Sequence, residues 1–198
     1  MKIAVLVSGQ GSILEALIRE RVPIALVAGD RECRALEAAE NAGIPTELVE
    51  RGDFGASFDR HEYTERLMHV LKTYGIELVA MAGFMTFLSE EFFENFGGRV
   101  LNTHPSLLPR FKGDHAVRDA LESGAQETGC TIHIATEKLD EGQIIAQETV
   151  PIHEGDTVDA LHERIKQAER RLYPRILKDI VSGELALPRK EDIIKSDN

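Results

Sequence analysis

The run Leu101-Asn102-Thr103-His104-Pro105-Ser106-Leu107-Leu108-Pro109, followed further on by Leu139-Asp140-Glu141-Gly142, places an amide, an imidazole and a carboxylate in one part of the chain. Asn102 and His104 stand two apart at the end of the apolar run Arg99-Val100-Leu101. If that run is a strand, its alternation points both side chains to one face. Pro105 then ends the strand, because it has no N–H to give to a ladder. Strand ends are where open α/β sheets place their sites. An Asn donor beside a His can hold a developing oxyanion and move a proton, which are the two needs of acyl-group transfer. Spacing alone is equally consistent with a capped strand end whose His is hydrogen-bonded in a loop.

A second candidate is Ser8-Gly9-Gln10-Gly11-Ser12, between an apolar run and a helical pattern. Free backbone N–H groups at a helix N-terminus favour an anion. Leu14 stands where a dinucleotide fingerprint needs its third glycine, and the Lys-Ser/Thr of a Walker loop is absent. The functional reading is therefore a phosphate on a small substrate. The plain alternative is a glycine turn with Ser12 as the helix cap.

These residues require a frame, and the order of patterns supplies one. Ile3-Ala4-Val5-Leu6-Val7 is continuously apolar, as in a strand buried on both faces of a parallel sheet. Strand patterns over 23–28, 46–49 and 77–81 alternate with helical ones over 13–20, 31–42, 60–73 and 89–95. That alternation predicts a Rossmann-like α/β fold: a mostly parallel twisted sheet with flanking helices. After Pro109 the texture changes to a loop at 111–114, a helix at 116–123, and strands at 131–135 and 144–151 that read as an antiparallel pair. Asp156 is expected to cap a last long helix with Asp159 returning the bond. Val158, Leu161, Ile165, Ala168 and Leu172 form its buried stripe, and Pro174 is read as a kink. One domain over 1–198 is expected, with the polar run 189–198 as a loose tail.

A chain of 198 residues with 42% apolar and 29% charged composition reads as ordinary and globular. A net charge of -11 disfavours a nucleic-acid surface, which needs a Lys/Arg excess. No stretch approaches the ~18 apolar residues of a membrane span, and no signal-peptide pattern stands at the start, so the cytoplasm is the expected compartment. Cys33 and Cys130 make no metal spacing and read as structural thiols; the seven histidines also lack paired ligand spacing, so no metal is expected.

The segments Ser8 to Ser12, Met81-Ala82-Gly83-Phe84-Met85, Asn102 to Pro109, Gly129-Cys130-Thr131-Ile132-His133 and Leu139 to Gly142 together resemble the folate-dependent formyltransferases. Their order is most similar to the branch that formylates glycinamide ribonucleotide in purine biosynthesis, from residue 1 to about residue 187. The resemblance implies a formyltransferase fold and transfer of formyl from 10-formyltetrahydrofolate, a co-substrate, to the amine of glycinamide ribonucleotide. It implies Asn102, His104 and Asp140 as the catalytic trio, with Asp140 keeping His104 cationic directly or through water. It implies an acceptor site at Gly11, Ser12, Ile13, Gly83 and Pro105, with Lys166 reaching the phosphate and Glu169 the ribose. It places the folate on Arg60, Met85, Thr86, Phe87, Leu88 and Asn102. Small-molecule substrates, a monomer or homodimer, and neither nucleic acid nor membrane as partner complete the expectation.

Each assignment has a plainer reading. Lys166 and Glu169, three apart, could be a solvated pair on a helix face, residues 85–88 could be core, and His133 reads as a strand residue lining the site. Two positions depart from the family pattern: Ile13 stands where Asn is usual, and Thr86 where some members carry Arg. A hydrolase that passes the formyl group to water shares the trio but carries an N-terminal regulatory domain, whereas the first strand here opens at the start of the chain. A non-catalytic folate- or nucleotide-binding module has no need of the trio.

Overall fold

The computed structural model describes residues 1–52, 55 and 57–188. Its elements in chain order are β1 (Ile3–Val7), α1 (Ser12–Arg19), β2 (Ile24–Gly29), α2 (Arg34–Asn41), β3 (Thr46–Leu48), α3 (Arg60–Thr73), β4 (Leu78–Met81), α4 (Glu90–Asn95), β5 (Val100–His104), α5 (Ala116–Glu122), β6 (Glu127–Ile134), β7 (Ile144–Pro151) and α6 (Val158–Ser182). The strands form one sheet in the order β3-β2-β1-β4-β5-β6-β7. The first five run parallel, and β6 and β7 are antiparallel additions. This is the expected mostly parallel sheet with an antiparallel extension.

The continuous apolar strands are explained by what covers them. Ile3, Val5 and Val7 of β1 face one core with Leu14 and Leu17 of α1 and Leu161, Ile165 and Leu172 of α6. Ala4 and Leu6 face the other core, with Tyr63, Leu67 and Leu71 of α3 and Phe92 of α4. A strand covered on both faces has no solvent side, so its apolar run cannot alternate with polar residues. Strand order reverses between β1 and β4, and the Ser8 and Gly83 loops leave the sheet beyond their C-terminal ends, the place where open α/β sheets bind ligands.

Several boundaries differ from the expectation. Strand β6 begins at Glu127, four residues before the expected 131, because Glu127–Cys130 pair with β7 as far as Pro151. Gly129 permits this, since a Cβ there would run into the Glu148 carbonyl. Helix α2 starts at Arg34 rather than at residue 31, after an extended Cys33. Helix α6 continues through Pro174 to Ser182. Its cap is Thr157, whose hydroxyl accepts the Ala160 N–H, and not Asp156. The Asp156 carboxylate is taken by Arg164 at 2.8 and 2.9 Å and by the His153 N–H, and these bonds hold its pKa far below the usual range. Val158 of the expected buried stripe stays partly exposed. The expected tail at 189–198 lies outside the described residues.

Replacing Thr157 with Ala is expected to lower the unfolding free energy by about 1 kcal/mol, the worth of a lost N-cap. Urea unfolding checks this; a Thr157→Ser protein should retain the stability.

Candidate active site

Asn102 and His104 are on β5, and the sheet decides what surrounds them. Antiparallel pairing sets Asn102 opposite His133 and His104 opposite Thr131. The Asn102 amide nitrogen lies 3.3 Å from His133 Nε2. His133 Nδ1 lies 3.1 Å from the Ile134 carbonyl, an acceptor only, so a neutral ring donates there and accepts from Asn102 through Nε2. One amide hydrogen of Asn102 is thus used and the other is left for a ligand. Burial pushes the His133 imidazole below its usual pKa, against the smaller pull of the Ile134 carbonyl and Asp140.

His104 and Asp140 are both buried. His104 Nδ1 is 3.3 Å from Asp140 Oδ2, so the contact is direct, and His133 Nε2 is 3.8 Å from Oδ1 of the same carboxylate. His104 Nε2 donates to the Phe111 carbonyl at 2.8 Å. Both ring nitrogens of His104 therefore face acceptors, an arrangement satisfied in full by an imidazolium. Asp140 also accepts the Gly113 N–H at 2.9 Å. Its backbone has a positive φ of 55°, costly for a non-glycine residue and held by these side-chain bonds. Gly142 closes the same turn, because a Cβ there would run into the Ile134 carbonyl.

The loop after β5 is tied to β6 and β7 by one hydroxyl. Thr131 Oγ1 donates to the Ser106 carbonyl at 2.6 Å and accepts from the Leu108 N–H at 3.0 Å and from Gln147 Nε2 at 2.9 Å. Ser106 in turn donates to the Arg110 carbonyl. The Asn102-to-Pro109 segment is thus fixed by hydrogen bonds through its length. Cys130, next to Thr131, is buried among apolar residues that push its thiol up to about 12, consistent with an inert structural role.

The remaining candidates fall into two groups. Gly11 precedes α1 at a φ of 81° and offers no side-chain cap, so the first-turn N–H groups have no side-chain acceptor. Any Cβ on Gly11 would lie 2.9 Å from Ala35 of α2. Ser12 is half-buried, and Ile13 turns into the core with Leu14. Helix α6 packs along α1 and β6. On it Glu169 is buried and accepts the Thr103 hydroxyl at 2.7 Å, so it is no surface partner of half-buried Lys166. Burial pushes the Glu169 carboxyl up, opposed by the Thr103 bond. Gly83, with a φ of 73°, opens the loop after β4, and Pro105 follows β5. The second group is Arg60 and residues 85–88. Met85 and Phe87 are exposed, Thr86 and Leu88 are buried, and the Arg60 guanidinium lies 6.0 Å from the Phe87 ring centre. A plain core reading of 85–88 therefore holds for half of them.

A family model described as formyl transferase matches residues 1–177. The chain belongs to the formyl transferase family. It is 43% identical over 190 residues to the trifunctional purine biosynthetic protein adenosine-3 of Gallus gallus, covering 92% of this chain but 19% of that one. The chain thus spans about a fifth of the length of the first curated relatives it matches. It is 42% identical over 176 residues to phosphoribosylglycinamide formyltransferase of Mycobacterium tuberculosis, covering 86% and 80% of the two chains. Among solved structures, phosphoribosylglycinamide formyltransferase from Anaplasma phagocytophilum matches with a TM-score of 0.86 and 37% identity, over 94% of this chain and 89% of that one. Glycinamide ribonucleotide transformylase 1 from Symbiobacterium toebii matches with a TM-score of 0.86 and 37% identity, over 96% and 92%.

Sequence patterns did not single out Thr131, Phe111, Gly113 or Thr103, whose contributions are two hydroxyls and two backbone groups. The sequence marks His133 as a strand residue lining the site, and its pairing with Asn102 comes from the β5–β6 register.

A His held below its usual pKa by burial binds fewer protons in the folded than in the unfolded chain between its folded value and about 6.5. Stability is then complete above that interval and is lost as pH falls through it. Denaturant midpoints should fall from about pH 7 to about pH 5, and His133→Gln should flatten part of this slope. A Gly142→Ala protein should lose roughly 1–3 kcal/mol of stability, measured by urea unfolding.

Proposed function

We propose that this chain transfers the formyl group of 10-formyltetrahydrofolate to the primary amine of glycinamide ribonucleotide, in a single step series without a covalent enzyme intermediate or a metal. The observation that carries the reading is the convergence of Asn102, His104 and Asp140 at the C-terminal end of β5, with His104 bridging Asp140 and a backbone carbonyl. The Mycobacterium tuberculosis relative and the solved neighbours, named as phosphoribosylglycinamide formyltransferases, support it.

The amine nitrogen attacks the formyl carbon, forming a C–N bond and leaving a charged oxygen. The second Asn102 amide hydrogen and the His104 cation stabilise that oxygen, which is a stronger acceptor than the neutral Phe111 carbonyl for the Nε2 proton. The amine must then lose a proton and folate N10 gain one as its C–N bond breaks. His104 backed by Asp140 is placed to relay it. On this reading the acceptor phosphate meets the N–H groups at 11–13 and Lys166, with no side-chain help from the core-facing Ile13. The ribose meets Glu169, and Gly83 and Pro105 border the space between. Arg60, Met85, Thr86, Phe87 and Leu88 form the folate side. The cytoplasm is the proposed compartment; among the described residues no helix is long and apolar enough to cross a membrane.

Supplying formylfolate with and without glycinamide ribonucleotide tests the reading. Tetrahydrofolate release should depend on the acceptor; release to water alone would identify a hydrolase. His104→Ala and Asn102→Ala should each lower kcat by ~10²-fold or more, since each removes a group that acts on the developing charge. Circular dichroism should remain that of the parent protein. Lys166→Met should raise KM for the acceptor and leave kcat much less changed, as a uniformly binding residue does.

A further inference from the structure

The proposed mechanism makes no use of Asp30, the residue that follows β2. It is fully buried. Arg31 binds it in two-pronged fashion, Nε at 2.9 Å and Nη2 at 3.0 Å. The Thr86 hydroxyl donates to its Oδ2 at 2.7 Å, and the Ser8 hydroxyl also bears on it. Burial alone would raise the carboxyl's pKa; the bonds from Arg31, Thr86 and Ser8 outweigh that and leave it lowered, so a charge is kept in the interior. Removing a carboxylate from water costs several kcal/mol before such partners repay it.

What this charge holds is the loop between β4 and α4. Residues 84–88 have no strand partner, yet their exposures alternate: Met85 69%, Thr86 5%, Phe87 54% and Leu88 6%. In a sheet the ladder would enforce that alternation; here two side-chain anchors do. Thr86 is pinned to Asp30, and the Met85 N–H donates to Ser8 Oγ at 2.8 Å. A slip of one residue would turn Met85 inward and Thr86 outward.

We propose that Asp30 is a positioning residue for the formyl donor, holding Thr86 inward so that Met85 and Phe87 present their apolar faces to the folate ring system. This rests on the donor reading above. It also accounts for threonine at position 86: a short hydroxyl reaches Asp30.

Three variants test it: Thr86→Val, which keeps shape and removes the donor, Thr86→Ser, which restores the hydroxyl, and Asp30→Asn. Losing a hydrogen bond to a charged group corresponds to roughly a 10-fold change. KM for 10-formyltetrahydrofolate should therefore rise ~10-fold in Thr86→Val and Asp30→Asn. The acceptor KM and kcat should move far less, and Thr86→Ser should return the donor KM toward the parent value. A purely structural role would instead lower the melting temperature and affect both substrates alike. An unchanged donor KM in Thr86→Val, or equal changes for both substrates, overturns the proposal. Calorimetric titration with tetrahydrofolate separates it from the activity: if the parent protein transfers no formyl yet binds tetrahydrofolate, and Thr86→Val binds it more weakly, the anchor stands and the transferase reading fails. No binding of tetrahydrofolate by the parent protein overturns the anchor.

Discussion

The antiparallel pairing of β5 with β6 is the constraint on which the site depends. It sets Asn102 opposite His133 and His104 opposite Thr131, so each candidate catalytic side chain has a neighbour that either orients it or ties down the loop behind it. A parallel neighbour in the same place would arrive through a crossover and present its residues in a different stagger. The antiparallel strand leads instead straight to the Asp140 turn, bringing the carboxylate back to 3.3 Å from His104. The Thr131 hydroxyl, with three hydrogen bonds, then stitches the loop after β5 to β6 and β7.

Burial gives these contacts their force. His104, His133 and Asp140 share a site from which water is largely excluded, where charge interactions are stronger than at the surface. His133 is driven toward its neutral form, which suits an acceptor for the Asn102 amide. The same physics governs the more distant carboxylates. Glu169 is buried with one hydroxyl donor and is pushed up, whereas Asp30 is buried with a guanidinium and two hydroxyls and is pulled down. Asp30 has more and stronger donors than Glu169 and is less deeply enclosed, and both differences act in the same direction.

The parallel half of the sheet was legible because burial on both faces leaves its mark on each residue of a strand. Helix α3, with its Asp59 cap bonding the Glu62 N–H, was legible to its end residues. Where local signals competed, they misled. Asp156 and Thr157 are both good capping residues, and the choice between them was made by Arg164, eight positions along from Asp156 on α6. The alternation at 85–88 reads as core because apolar composition does not reveal which residues face out.

Residue types and local order were enough to determine the α/β class, because strand periodicity and turn chemistry act over a few residues, and the motifs they carry resemble those of the formyl transferases, a resemblance that makes Asn102, His104 and Asp140 the candidate trio. Tertiary structure alone decided that His133 orients Asn102, that Phe111 and Gly113 close on the His104–Asp140 pair through backbone groups, that Ile13 serves the core, and that Asp30 reaches Thr86. Most of those contacts join segments far apart in the chain, and two use backbone atoms that every residue carries. No local pattern encodes them; they exist only once the sheet has set its strands side by side.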